Sequence, residues 1–89
     1  MTKDKIAYDS YRKLIYFFKN EIKVHFKDFD EIFYNGIIID LNEEKFTMVL
    51  AEDIKGTMPI LLEFVNPDSI REYTEVGGWN QLNLKNKQK

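Results

Sequence analysis

Two hydrophobic rhythms divide the chain. Within residues 4–20, Ala7, Tyr11, Leu14 and Phe18 recur at i, i+4, i+7 and i+11, and Ile15 widens the stripe, so the pattern predicts an N-terminal α-helix. Lys5–Asp9 and Asp9–Lys13 add i,i+4 pairs on the opposite side, and Thr2 or Asp4 is the candidate cap. Tyr8, Tyr16 and Phe17 fall partly outside the stripe, which leaves more apolar surface than one packed face needs. A strand over Leu14–Phe18 is the competing reading, and the helical spacing upstream outweighs it.

From Glu21 the rhythm changes to alternation. Ile22, Val24 and Phe26 interleave with Lys23, His25 and Lys27, as in a half-buried strand, and Asp28-Phe29-Asp30 supplies a turn. Residues 32–41 form a longer second strand in which Gly36 interrupts a β-branched run; an interior glycine marks a bulge, a bend or a close backbone approach. Asn42-Glu43-Glu44 turns into a third strand in which Phe46, Met48 and Leu50 alternate with Lys45, Thr47 and Val49. After the loop 53–57, residues 58–65 read as a fourth strand with Pro59 near its start. Asn66-Pro67-Asp68-Ser69 suits a tight or 3₁₀ turn, and residues 70–73 a short fifth strand. The expectation is a mainly β fold, an N-terminal helix followed by a five-stranded, strongly bent antiparallel barrel. One domain spans residues 1–76, with the helix at 4–20 and the barrel at 21–73, followed by a flexible polar and basic tail at 77–89.

Composition bounds what such a fold does. With 89 residues and 44% apolar content there is material for one small core. The chain has no cysteine and its longest apolar run, Leu14–Phe18, is five residues. A soluble, cytoplasmic protein with no membrane partner is expected. The net charge of −2 conceals an uneven distribution: residues 1–27 balance at +4, residues 28–76 at −9 and residues 77–89 at +3. An acidic sheet repels phosphate, so nucleic-acid contact would need the helix, the tail or a local exception.

Catalytic signals are sparse. His25, the single histidine, lies between Lys23 and Lys27 and reads as a solvated strand residue. Ser10 and Ser69 are the only serines, which gives a nucleophilic triad little support. Asp40, Glu43, Glu44, Glu52 and Asp53 read as turn acids, without the spacing of a calcium loop. Gly77-Gly78 lacks the Lys-Ser/Thr ending of a phosphate loop, and Trp79 beyond it is either packed onto the barrel or a partner anchor. No enzyme and no cofactor is expected.

Once these residues are laid out, Tyr34-x-Gly36-x-Ile38-x-x-Leu41-Asn42, Phe46-Thr47-Met48, Pro59-Ile60-Leu61 and Ile70 resemble the Sm-like (LSm) small barrels, including the C-terminal domain of bacterial ribosome maturation factors. The resemblance covers about 55 residues between the first and fifth strands. Two loops differ from the uridine-binding members. Asn42-Glu43-Glu44-Lys45-Phe46 stands where an Asp-x-x-Met-Asn-like loop is usual, and Asn66-Pro67-Asp68-Ser69 where Arg-Gly is usual. The resemblance implies a non-catalytic binding protein, RNA-associated and homo-oligomeric through the free edges of its fourth and fifth strands. The alternative is a protein–protein adaptor without nucleic acid. Candidate RNA contacts are Lys3, Lys5, Arg12, Lys13 and Lys19; candidate protein contacts are Tyr8, Tyr16, Phe17, Leu61, Ile70 and Trp79.

Overall fold

The computed structural model describes residues 3–74, so Trp79 and the 77–89 tail lie outside the described residues. Helix α1 (Lys3–Lys19) precedes strands β1 (Val24–Lys27), β2 (Phe33–Asn42), β3 (Thr47–Glu52), β4 (Gly56–Leu61) and β5 (Arg71–Glu72), with 3₁₀ turns at Leu62–Phe64 and Pro67–Ser69. The strands make one antiparallel sheet in the order β4-β3-β2-β1-β5. The fold is therefore mainly β with an N-terminal helix.

The sheet is not closed into a barrel. β4 and β5 are its two edges. Between the first and last thirds of the sheet stand one bridge, Asp28 to Val65, and the Asn66 N–H donating to the Lys27 carbonyl at 3.0 Å. α1 lies against β2 and both 3₁₀ turns and so fills the opening. Its buried side is Ala7, Ser10 and Leu14, which meet Val24, Phe26, Ile38, Met48, Leu50, Leu62 and Val65 in the core. Ser10 is absent from the sequence stripe, yet it is fully buried and its hydroxyl donates to the Val65 carbonyl at 3.2 Å.

Several boundaries differ from the alternation for local reasons. α1 stops where Glu21 takes φ of 54° and the Ile22 N–H reaches back to the Phe17 carbonyl at 3.0 Å, a helix-ending arrangement that delays β1 to Val24. Phe46, φ 54°, closes the β2–β3 turn instead of opening β3. The expected fourth strand ends at Leu61; Leu62 and Val65, three apart, are both buried, which suits a 3₁₀ turn better than a strand.

Gly36 sits where β2 is flanked by both neighbours, opposite Val24 and Glu52. A Cβ there would collide with the Ala51 carbonyl and stand 2.9 Å from the Glu52 Cα. The glycine marks close backbone approach; the bulge in β2 lies later, at Ile39.

Glu52 anchors the β3–β4 turn. Its buried carboxylate accepts from the backbone N–H groups of Ile54 (2.8 Å) and Lys55 (2.6 Å), and from that of Asn35 across the sheet (3.0 Å). Burial alone would raise its pKa. The three amide donors and the nearby Lys55 ammonium outweigh burial and hold the carboxyl below its ordinary range.

Candidate binding surfaces

The proposed RNA contacts on α1 are mostly engaged within the chain. Lys3 pairs with Glu63 at 3.8 Å, Lys5 with Asp9 at 3.6 Å, and Lys13 donates to the Pro67 carbonyl at 3.0 Å and faces Asp68 at 3.8 Å. Arg12 lies over the Tyr8 ring, 5.8 Å from its centroid, and Lys19 is exposed at the helix end. Lys3 and Lys13 tie the helix to the turns beside it, whereas Lys5 and Arg12 make contacts within the helix. Each exposed pair contributes little stability by itself.

The proposed protein contacts separate into two groups. Tyr8 and Tyr16 are exposed on α1, Tyr16 meets Phe17 edge-on at 5.4 Å, and Phe17 and Ile70 are half-buried against the core. Leu61 is exposed at the end of β4, on the far side of the sheet from β5.

Sheet register places other residues together that the linear pattern did not single out, because residues directly opposite one another share a face. On the face away from the core, β2, β3 and β4 pair Ile37 with Ala51, Val49 with Pro59, Ala51 with Thr57 and Thr47 with Leu61. The bulged Ile39, 53% exposed, stands beside Val49, and Asp40 is the one charge paired into these rows. This is an unpartnered apolar face. The alternation carried a sign of it: Ile37, Ile39 and Val49 occupy positions that a solvated strand gives to polar residues.

The same outward face changes character on β5, β1 and β2. Arg71 pairs with His25 and His25 with Asn35; Lys27 pairs with Phe33. His25 stacks on Phe33 at 5.2 Å and donates from Nδ1 to Asn35 Oδ1 at 2.5 Å, so it is a half-buried outward side chain held by two neighbours. Lys23 lies over the Tyr73 ring at 4.5 Å and pairs with Asp53 at 2.5 Å, and Lys27 pairs with Glu31 at 2.7 Å. The acids reach this patch from the turns; the paired outward positions of these strands carry none.

An open cleft of about 570 Å³ separates β4 from the β1–β2 hairpin. Phe26, Tyr34, Met58 and Ile60 line it, with the exposed Phe29 and Phe64 on either side. Asp28 accepts from the Tyr34 hydroxyl at 3.0 Å and from the amides of Asp30 and Ile32. Burial pushes the Asp28 carboxyl up, and the Ile32 amide, the Tyr34 hydroxyl and the Asp30 amide together bring it below its ordinary value. Tyr34 is pushed up by burial and by the same Asp28 bond, so the pair is a neutral phenol on a carboxylate.

Among the described residues no group of three or more His, Cys, Asp or Glu side chains is placed to hold a metal ion, and no helix is long and apolar enough to cross a membrane. Among the described residues, fold and surfaces define a small helix-and-sheet domain with two unlike regions on its outward sheet face and an open, acid-rimmed cleft on the inner side. No protein-family model, curated protein or solved structure matches the chain.

Proposed function

We propose that this chain is a non-catalytic binding module that self-associates through the outward face of β2, β3 and β4. The observation that carries the reading is the apolar row set of Ile37, Ile39, Val49, Ala51, Pro59 and Leu61, with Asp40 its one charge. Contiguous apolar surface of this kind marks an interaction site. A two-fold pairing of two copies buries the same rows on both. The edges are less suited: β5 has two residues, and Pro59 has no N–H to offer a neighbouring strand. The Sm-like resemblance supports oligomerisation and, with the bulge in β2, a barrel-like curvature. Face packing takes the place of edge pairing. Ile39→Lys, at an exposed bulge, is expected to keep the monomer's unfolding free energy within about 0.5 kcal/mol of wild type and weaken association at least about tenfold, read by sedimentation. Unaltered association would remove this face from the interface.

A second reading is favoured by the patch on β5, β1 and β2. The exposed Phe33 stacked on His25, with Arg71 paired beside His25, suits single-stranded RNA, where aromatic rings stack on bases and a cation meets phosphate, while Lys23 and Lys27 are held by Asp53 and Glu31. Phe33→Ala is expected to weaken RNA binding about tenfold, and Arg71→Glu to weaken it and lower its salt dependence. Arg12→Glu and Lys13→Glu abolish binding only if the helix is the contact surface. No detectable RNA binding at low salt would end this reading.

A further inference from the structure

We infer that the cleft beside β4 is the docking site for the chain's own C-terminal segment, residues 75–89, with Trp79 and the leucines after it as apolar anchors. The inference concerns the inner side of the sheet and does not depend on self-association through the outer one.

Three observations carry it. The cleft is lined by Phe26, Tyr34, Met58 and Ile60, and Phe29 and Phe64, each about half exposed, leave it open. Its rim is acidic, with Asp28 and Asp30 both facing it, and residues 28–76, which hold both, balance at −9. Beyond Thr74 the segment supplies the complementary chemistry: Trp79, Leu82 and Leu84, then Lys85, Lys87 and Lys89, with no acid after Glu75.

Reach is sufficient. Tyr73 is held at one end of β1, its N–H on the Lys23 carbonyl, and Asp28 marks the cleft end. Five residues of strand separate the two, about 17 Å at a rise of about 3.3 Å per residue. The segment has to reverse direction directly after Thr74; the six residues from Tyr73 to Trp79 then span up to about 20 Å, enough to bring Trp79 to the cleft, and Gly77-Gly78 lets the chain turn the indole inward. The fifteen residues after Thr74 span up to about 50 Å extended, ample for the turn and the return. Leu82 and Leu84 then follow Trp79 over the cleft, and the lysines face the Asp28–Asp30 rim. A tryptophan in a partly apolar cleft is the kind of anchor that dominates docking energy.

Trp79 is the single tryptophan, so its fluorescence in the full chain reads the site directly. At sub-micromolar concentration the emission is expected to be blue-shifted from free tryptophan amide, and acrylamide quenching several-fold weaker. Phe29→Asp, Asp30→Lys and the combined Lys85→Glu, Lys87→Glu, Lys89→Glu variant should each move emission to the red and restore quenching, with the far-UV spectrum unchanged. Ile39→Lys should leave the signal unaltered, which separates docking from self-association. Wild-type quenching equal to that of the free amide overturns the inference. So does protected Trp79 fluorescence that none of the cleft or lysine variants alters.

Discussion

Gly36→Val is expected to destabilise the domain by about 3 kcal/mol, near the upper end for forcing extra atoms into a packed site. Intrinsic preference argues the other way, since valine is the better strand residue by up to about 1 kcal/mol. Geometry decides the sign. The collision begins at Cβ, with the Ala51 carbonyl and the Glu52 Cα, both backbone atoms of β3 that no rotamer change can move aside. Gly36→Ala should therefore show most of the loss, and the two variants should differ less from each other than either does from wild type. Urea unfolding checks this through the midpoint at constant slope. A midpoint equal to or above wild type would mean that β2 and β3 do not approach as described.

Glu52→Ala should cost a similar amount, about 3 kcal/mol, for a different reason: three amide donors lose a charged acceptor in a site from which water is largely excluded. The pH dependence has a definite sign. A carboxyl whose folded pKa lies below its unfolded value contributes stability that is fully present above the unfolded value and lost as pH falls through the folded one. The ordinary value for Glu52 is 4.5 and its folded value is lower; Asp28, ordinarily 3.8, is displaced the same way. Stability should therefore be flat above about pH 5 and fall steeply below about pH 4.5. Glu52→Gln should flatten that acid limb while lowering the neutral plateau. A limb of unchanged slope would separate Glu52 from acid unfolding.

The helix, the five strands and the 3₁₀ turn at residues 67–69 were legible because their periodicities are carried by many residues at once. Gly36 was legible as a bulge, a bend or a close approach, because a glycine among isoleucines gives up the side-chain packing that a strand interior otherwise uses, and the backbone of β3 opposite decides for the close approach. What escaped depends on contacts between distant parts of the chain. Ser10 looks like a surface serine until the Val65 carbonyl, 55 residues away, is placed over it. Leu62 and Val65 continue the apolar run of β4, so nothing local announces that the strand stops at Leu61. The expected surfaces moved for the same reason. Lys3 and Lys13 found acids in the neighbouring turns, whereas His25, Phe33 and Arg71 became neighbours only through strand register.

The outward apolar face of β2, β3 and β4 is the feature on which the functional reading rests, and the solution mass tests it most directly. Light scattering on the intact chain at high micromolar concentration should give a multiple of 10.7 kDa that dissociates on dilution, and Ile39→Lys should return the monomer mass under the same conditions. A wild-type mass of 10.7 kDa across the whole concentration range would contradict it.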